Sequence, residues 1–92
     1  MDVYAQIAVR IIKQQESVIG PVAIEQANAV SGLKVDWDKK EANVSGDGAK
    51  VIDRLVEQYK KLFGQISVEV CKEAAGPLMS KLPAGKQPKE LE

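Results

Sequence analysis

Residues 33–63, LKVDWDKKEANVSGDGAKVIDRLVEQYKKLF, decide the fold because two different periodicities meet in this stretch. In its first half, Leu33, Val35 and Trp37 alternate with charged residues, which is the period-two pattern of a half-buried strand. In its second half, apolar residues recur every three or four positions, as they do along one face of a helix. A Gly-Asp-Gly turn at residues 46–48 separates the two patterns, so the stretch predicts a strand segment followed directly by a helix.

A second short strand is predicted after a turn at residues 39–41, since Ala42 and Val44 alternate with Asn43 and Ser45. The short separation between the two strands favours an antiparallel hairpin. Two strands alone are marginally stable in water, so helices are expected to cover the apolar face of this hairpin.

The helix after the turn has clear start and stop signals. Asp47 is placed to cap the exposed amides of its first turn, where a carboxylate also suits the positive helix end. Gly64 is expected to end it. The predicted apolar stripe consists of Ile52, Leu55, Val56, Tyr59, Leu62 and Phe63.

Two further helices are predicted before the hairpin. Residues 3–18 place apolar side chains at helical spacing on one face and polar side chains on the other. Gly20 can end this helix, and Pro21 suits the first position of the next one, which is expected to run to residue 30.

Residues 65–82 permit two interpretations. Residues 66–70 alternate like a strand, but the longer pattern has helical spacing, and its length favours a helix. Pro77 removes an amide and its ring clashes with the preceding turn, so a kink or two shorter helices are expected there. The residues with helical spacing are Val68, Cys71, Ala75, Leu78 and Leu82.

The chain is therefore predicted to form one α+β domain over residues 1–82, in the order helix, helix, two-stranded hairpin, helix, helix, with the helices packed on one face of the hairpin. The alternative is a third strand at residues 66–70. Residues 83–92 combine prolines, glycine and lysines without periodicity, so a flexible C-terminal tail is expected. Leu91-Glu92 is interpreted as a remnant of cloning and is left out of the functional hypotheses.

Composition narrows the function classes. Thirteen basic and thirteen acidic residues give no net charge, which argues against a general attraction to nucleic acid or anionic membranes. Without histidine, the chain has no His-based triad, no His zinc ligand and no usual near-neutral general base. One cysteine, Cys71, forms no internal disulfide and favours a reducing compartment. No apolar run is long enough to span a bilayer, so a soluble cytoplasmic protein is expected. Because the sequence contains no catalytic or metal-binding pattern, we expect that the protein is not an enzyme and holds no cofactor or metal.

Two patterns resemble ligand sites only in part. A calcium loop starting at Asp36 would need glycine where Glu41 stands. Gly46, Gly48 and Lys50 could hold an anion at a helix N-terminus, but neither phosphate-binding glycine motif is complete and the intervening acid would repel the anion. A turn that caps a helix is the preferred interpretation.

The tip of the hairpin is the candidate contact surface. Trp37 is predicted either to cover the core as the inward neighbour of Val35, or to remain partly exposed as an anchor for a partner. The candidate surface consists of Trp37, Lys39, Lys40, Asp36 and Asp38.

Three functional hypotheses follow. The first is a non-catalytic protein-interaction or regulatory module, including self-association through apolar residues outside the main stripes. The second is a nucleic-acid-binding domain that uses the lysines of the hairpin. The third, least favoured, is an enzyme that works through carboxylates, which lack any partner group in the sequence. The residues proposed for self-association are Val9, Val18, Ile19 and Val22. Those proposed for nucleic acid are Lys34, Lys39 and Lys40 of the hairpin, with Lys50 and the lysines of the C-terminal tail assisting.

Overall fold

The computed structural model describes residues 1–92 as four α-helices and one two-stranded antiparallel sheet. The predicted α+β fold and its element order are confirmed, and the alternative third strand at residues 66–70 is wrong because this segment is helical. The elements are α1 (Val3–Ile19), α2 (Val22–Asn28), β1 (Leu33–Asp36), β2 (Glu41–Val44), α3 (Gly48–Phe63) and α4 (Gln65–Met79).

The hairpin has the alternating burial that its sequence predicts. Leu33 pairs with Val44 and Val35 with Ala42, so these apolar residues share the face that packs on the helices. The outer edge of β1 is capped, because the backbone N–H of Val35 donates to Oδ1 of Asn28 at 3.3 Å. The hairpin is therefore supported on its face by the helices and at one edge by a side chain from the end of α2.

Helix α3 begins and ends where the sequence signals predict. Oδ1 of Asp47 accepts the backbone N–H of Lys50 at 3.3 Å, and Gly64 has a φ of 83°, in the left-handed region. Most of the predicted stripe is buried, but Leu62 in the last turn is 49% exposed. The buried residues of the helix are Gly48, Val51, Ile52, Leu55, Val56 and Tyr59.

Helix α4 is one element rather than the two shorter helices considered for this segment. Pro77 lies near its C-terminal end, so few backbone hydrogen bonds follow it. Arg10 of α1 donates from Nε to the carbonyl oxygen of Ala74 at 2.8 Å, and Leu78 packs into the core, which together hold this last turn in place.

The main polar contact inside the helix layer joins α1 to α4. Gln15 is buried, and its Nε2 donates to the carbonyl oxygen of Ser67 at 3.0 Å and to Sγ of Cys71 at 3.4 Å. Every buried side-chain nitrogen and oxygen of the chain has a hydrogen-bond partner.

Residues 83–92 lie against the domain, in contrast to the flexible tail that the sequence predicts. Two short 3₁₀ turns, Ala84–Lys86 and Lys89–Leu91, follow α4, and both Pro88 and Leu91 are buried. Leu91 belongs to the same core as the helices. Two isolated apolar side chains produce no periodic pattern, which is why this packing is invisible in the sequence.

Polar contacts also attach this segment. The hydroxyl of Tyr4 donates to the carbonyl oxygen of Lys86 at 2.6 Å, and the backbone N–H of Glu90 donates to Oδ1 of Asp53 at 2.9 Å. The packed structure thus extends well past residue 82. None of the helices is long and apolar enough to cross a membrane.

Candidate functional site

The predicted contact surface at the tip of the hairpin is internally bonded. Trp37 is half-buried and packs against the core, and its indole Nε1 donates to Oε2 of Glu16 in α1 at 3.1 Å. Because this indole N–H already has a charged acceptor within the chain, Trp37 fastens the hairpin tip to α1. This arrangement agrees with the core-covering interpretation more closely than with a free anchor.

The basic residues of the tip are arranged around this tryptophan. Lys40 has a left-handed φ of 53°, and its Nζ lies 4.3 Å from the centroid of the indole ring and 2.9 Å from the carbonyl oxygen of Trp37. Oδ1 of Asp36 accepts the backbone N–H of Lys39 at 3.3 Å, and Asp38 is exposed. The five predicted residues therefore lie together in one turn. The side chain of Lys40 folds back over the indole ring, whereas the bond to Asp36 holds only the backbone of Lys39.

The second candidate, the N-terminus of α3, borders the largest cleft, of about 680 Å³. Gly46 and Lys50 are exposed there, whereas Gly48 is buried against the ring of Tyr4. Gly48 therefore makes room for an aromatic ring at this helix start. The charged residues that line the cleft are Asp47, Lys50, Asp53, Lys86 and Lys89.

These charges are mixed, which matters for the anion hypothesis. Asp47 caps the amides of the first turn of α3 with its own carboxylate, and so occupies the position that a bound anion would take. Asp53 accepts the backbone N–H of Glu90. An anion in this cleft would face both carboxylates as well as the lysines, and the site remains a prediction.

Cys71 lies in the core, as its helical spacing predicts. Burial raises the pKa of its thiol to about 11, against a smaller lowering by the hydrogen bond from Gln15. At neutral pH the group is therefore a protonated, enclosed thiol. No three residues among the cysteine, aspartates and glutamates are grouped so that they could hold a metal ion.

Exposed aliphatic side chains form a third candidate surface, which the sequence indicates only in part. Three large aliphatic side chains are strongly exposed: Val18 by 65%, Leu62 by 49% and Ile66 by 73%. Isolated exposed aliphatic residues are common, but a group of them in one place marks a binding surface. Whether these three form a group depends on where the helix ends lie.

Two hydrogen bonds show that the four helix ends meet at one end of the molecule. The bond from Gln15 to Ser67 joins the last turns of α1 to the first turn of α4. The bond from the hydroxyl of Tyr59 to the carbonyl oxygen of Ala23, 2.6 Å long, joins the last turns of α3 to the first turn of α2. Since α1 leads directly into α2 and α3 directly into α4, both junctions lie on the same side.

We call this surface the helix-junction face. Its members lie within the turns that border the two junctions. Three of them are half-buried, and two of these, Ile19 and Phe63, also pack on the core. The face consists of Val18, Ile19, Val22, Leu62, Phe63 and Ile66.

The sequence identified part of this face. Among the residues expected outside the main stripes, Val18 is exposed and Ile19 and Val22 are half-buried, whereas Val9 is buried in the core. Leu62 belongs to the predicted apolar stripe of α3. It is nevertheless exposed, because it lies in the last turn of the helix, beyond the buried part of that stripe. A search for apolar residues in the turns beside Gly20-Pro21 and Gly64 would have found the group.

No protein-family model matches the chain, and no curated protein or solved structure matches it either. The functional interpretation therefore depends on the geometry of the chain alone.

Proposed function

We propose that this chain is a non-catalytic protein-interaction module that binds its partner through the helix-junction face. The observation that carries the proposal is the exposure of Val18, Leu62 and Ile66 at the meeting point of four helix ends. Covering apolar surface of this kind is the main favourable term in most protein association.

General magnitudes bound the strength of such a contact. Complete burial of one large aliphatic side chain contributes about 1.5–3 kcal/mol, so the exposed parts of these three contribute about 3–6 kcal/mol. Association costs at least about 4 kcal/mol in lost motional freedom. The apolar centre alone therefore supports a weak complex, and polar contacts around it must supply further affinity.

The face is well organised before binding. Tyr59 and Gln15 fix the helix ends through buried hydrogen bonds, and the exposed side chains project from regular helical turns. A preorganised surface loses little conformational entropy on association. This favours the face over the hairpin tip, where Trp37 and Lys40 already bind groups of their own chain.

The proposal includes a cytoplasmic location, for which the free thiol of the single Cys71 is the support. It assigns no cofactor and no catalytic residue. The absence of histidine from the sequence, which removes the usual near-neutral general base, supports the assignment without a catalytic residue.

The test compares three immobilised forms of the chain as bait: the natural sequence, a variant with Val18→Ser, Leu62→Ser and Ile66→Ser, and a control with Lys34→Ser and Lys39→Ser on the hairpin. Each is exposed to lysate of the cells that make the protein and to a free, untagged copy of the chain. We expect the natural and control baits to retain the same proteins and the face variant to lose them. Equal retention by all three baits, or retained nucleic acid lost only by the hairpin control, would overturn the proposal.

A further inference from the structure

We infer that the helix-junction face binds a second copy of this chain in a two-fold symmetric dimer. This inference rests on the proposed function and specifies its partner. A two-fold interface uses the same patch on both subunits, so the patch must be complementary to itself. An apolar centre satisfies this condition automatically, because Val18, Leu62 and Ile66 of one copy can cover the same residues of the other.

The charged residues near the face have the arrangement that self-complementarity requires. Glu25 lies in the first turn of α2, whereas Lys61 lies in the last turn of α3. The two helices are neighbours at this end, since Nε2 of Gln58 donates to Oε1 of Gln26 at 2.7 Å. The face therefore has an acid, Glu25, on one bordering helix and a base, Lys61, on the next.

A two-fold rotation exchanges these borders. Glu25 in α2 of one copy can then approach Lys61 in α3 of the other, and the same contact recurs on the opposite side of the axis. Glu25 and Lys61 are both exposed and free to make such contacts. A foreign partner would need to supply this acid and base in matching positions, whereas a second copy has them already.

Long-range electrostatics and available area are also compatible with self-association. The chain has no net charge, so two copies approach without overall repulsion. The total accessible surface is 5148 Å², and a standard interface of about 800 Å² per subunit would cover roughly a sixth of it. The apolar centre is smaller than that, which predicts a weak dimer that forms at high micromolar concentration or above.

The experiment is sedimentation equilibrium of the full chain over about a hundredfold concentration range reaching about 1 mM. We expect the mean mass to rise from monomer towards dimer with concentration. Ile66→Lys should abolish the rise, and the control Lys34→Glu on the hairpin should leave it unchanged. The helical circular dichroism of each variant shows that it remains folded.

Charge reversal tests the geometry. Glu25→Lys or Lys61→Glu alone should weaken the dimer about threefold to tenfold, because each places like charges opposite each other. The double variant Glu25→Lys/Lys61→Glu should recover most of the natural affinity. A dimer that Ile66→Lys does not weaken, or a double variant weaker than both single ones, would overturn the inference.

A chain that stays monomeric throughout would also overturn it, and the bait comparison described above then decides whether the proposed function survives. If the face variant still loses retained proteins, the face binds a different protein. If it does not, both proposals fail.

Discussion

The hydroxyl of Tyr59 in α3 donates a 2.6 Å hydrogen bond to the carbonyl oxygen of Ala23 in α2, and both residues are fully buried. Burial raises the pKa of this hydroxyl far above the ordinary tyrosine value, so it remains a donor across the accessible pH range. The bond joins two of the four helices whose ends form the helix-junction face, and so links core packing to the shape of the proposed binding surface.

Removing this hydroxyl should lower stability measurably. In Tyr59→Phe the ring still fills the core, but the buried carbonyl of Ala23 loses a partner, and the free energy of unfolding should fall by about 1–2 kcal/mol. Denaturant unfolding measures the change. The control is Tyr4→Phe, whose hydroxyl bonds to Lys86 at the exposed surface and should matter less. An equal loss in the two variants would contradict the importance assigned to the buried bond.

Two glycines in helices should respond to alanine in opposite directions. A Cβ at Gly48 would collide with the ring of Tyr4, so Gly48→Ala should destabilise the chain by about 1–3 kcal/mol. A Cβ at Gly76 in α4 meets nothing, and Gly76→Ala should stabilise it by about 0.5–1 kcal/mol. Melting temperatures of the pair check both signs. A stabilising Gly48→Ala would show that Tyr4 does not pack on this residue.

The thiol of Cys71 should make stability depend on pH in the alkaline range. Burial raises its pKa from 9.0 to about 11 in the folded chain. Because the folded pKa is raised, the contribution is complete below the unfolded pKa and is lost as pH rises through the folded one, here between about 9 and 11. The loss should amount to about 1–3 kcal/mol.

The measurement is the free energy of unfolding of the natural chain and of Cys71→Ala at pH 8 to 11. The tyrosine hydroxyls of the unfolded chain titrate in the same range in both proteins, so the difference between the two pH profiles isolates the thiol. We expect the natural chain to lose more stability than the variant. Parallel profiles, or reaction of the folded thiol with an alkylating reagent at the rate of a free cysteine, would contradict its burial.

The contact of the C-terminal segment with α3 should weaken as pH rises. Partial burial raises the pKa of Glu90, and so do the neighbouring Glu57 and Asp53, while Lys60 opposes the shift. When the pKa of a carboxyl is higher in the folded state, its contribution to stability is complete at a pH below the ordinary glutamate pKa. That contribution is lost as the pH rises through the raised pKa. Docking of Lys89–Leu91 should therefore be strongest at acid pH.

Amide hydrogen exchange and NMR shifts of Leu91 report this docking directly. Glu90→Gln should remove most of the pH dependence, while Glu92→Gln at the exposed chain end should leave it in place. Stronger protection of Leu91 at neutral than at acid pH would contradict the predicted sign.

The features predicted from the sequence are those that local patterns determine. Asp47 and Gly64 mark the ends of α3 because capping needs only neighbouring residues. The alternation around Leu33 and Val35 identified the hairpin because a two-sided strand requires it. Residues 66–70 match both the strand periodicity and the helix periodicity. Their helix packs on α1, and the sequence of these five residues alone does not reveal that contact.

The features that the sequence did not predict depend on distant contacts. Glu16 lies 21 residues from Trp37, and no sequence pattern around either residue predicts their hydrogen bond. Leu91 is apolar but isolated, so its place in the core depends on the groove that the helices form. Leu62 and Ile66 have the composition of core residues, and only the position of the helix ends shows that they are exposed.

The central claim is that the helix-junction face binds a second copy of this chain. The most direct test is to follow backbone amide NMR shifts while the natural chain is diluted about a hundredfold from about 1 mM. We predict that the shifts change in residues 17–22 and 61–67, and that those of the hairpin tip at 36–41 remain constant. Changes confined to the hairpin tip, or shifts that remain constant throughout the chain, would contradict the account.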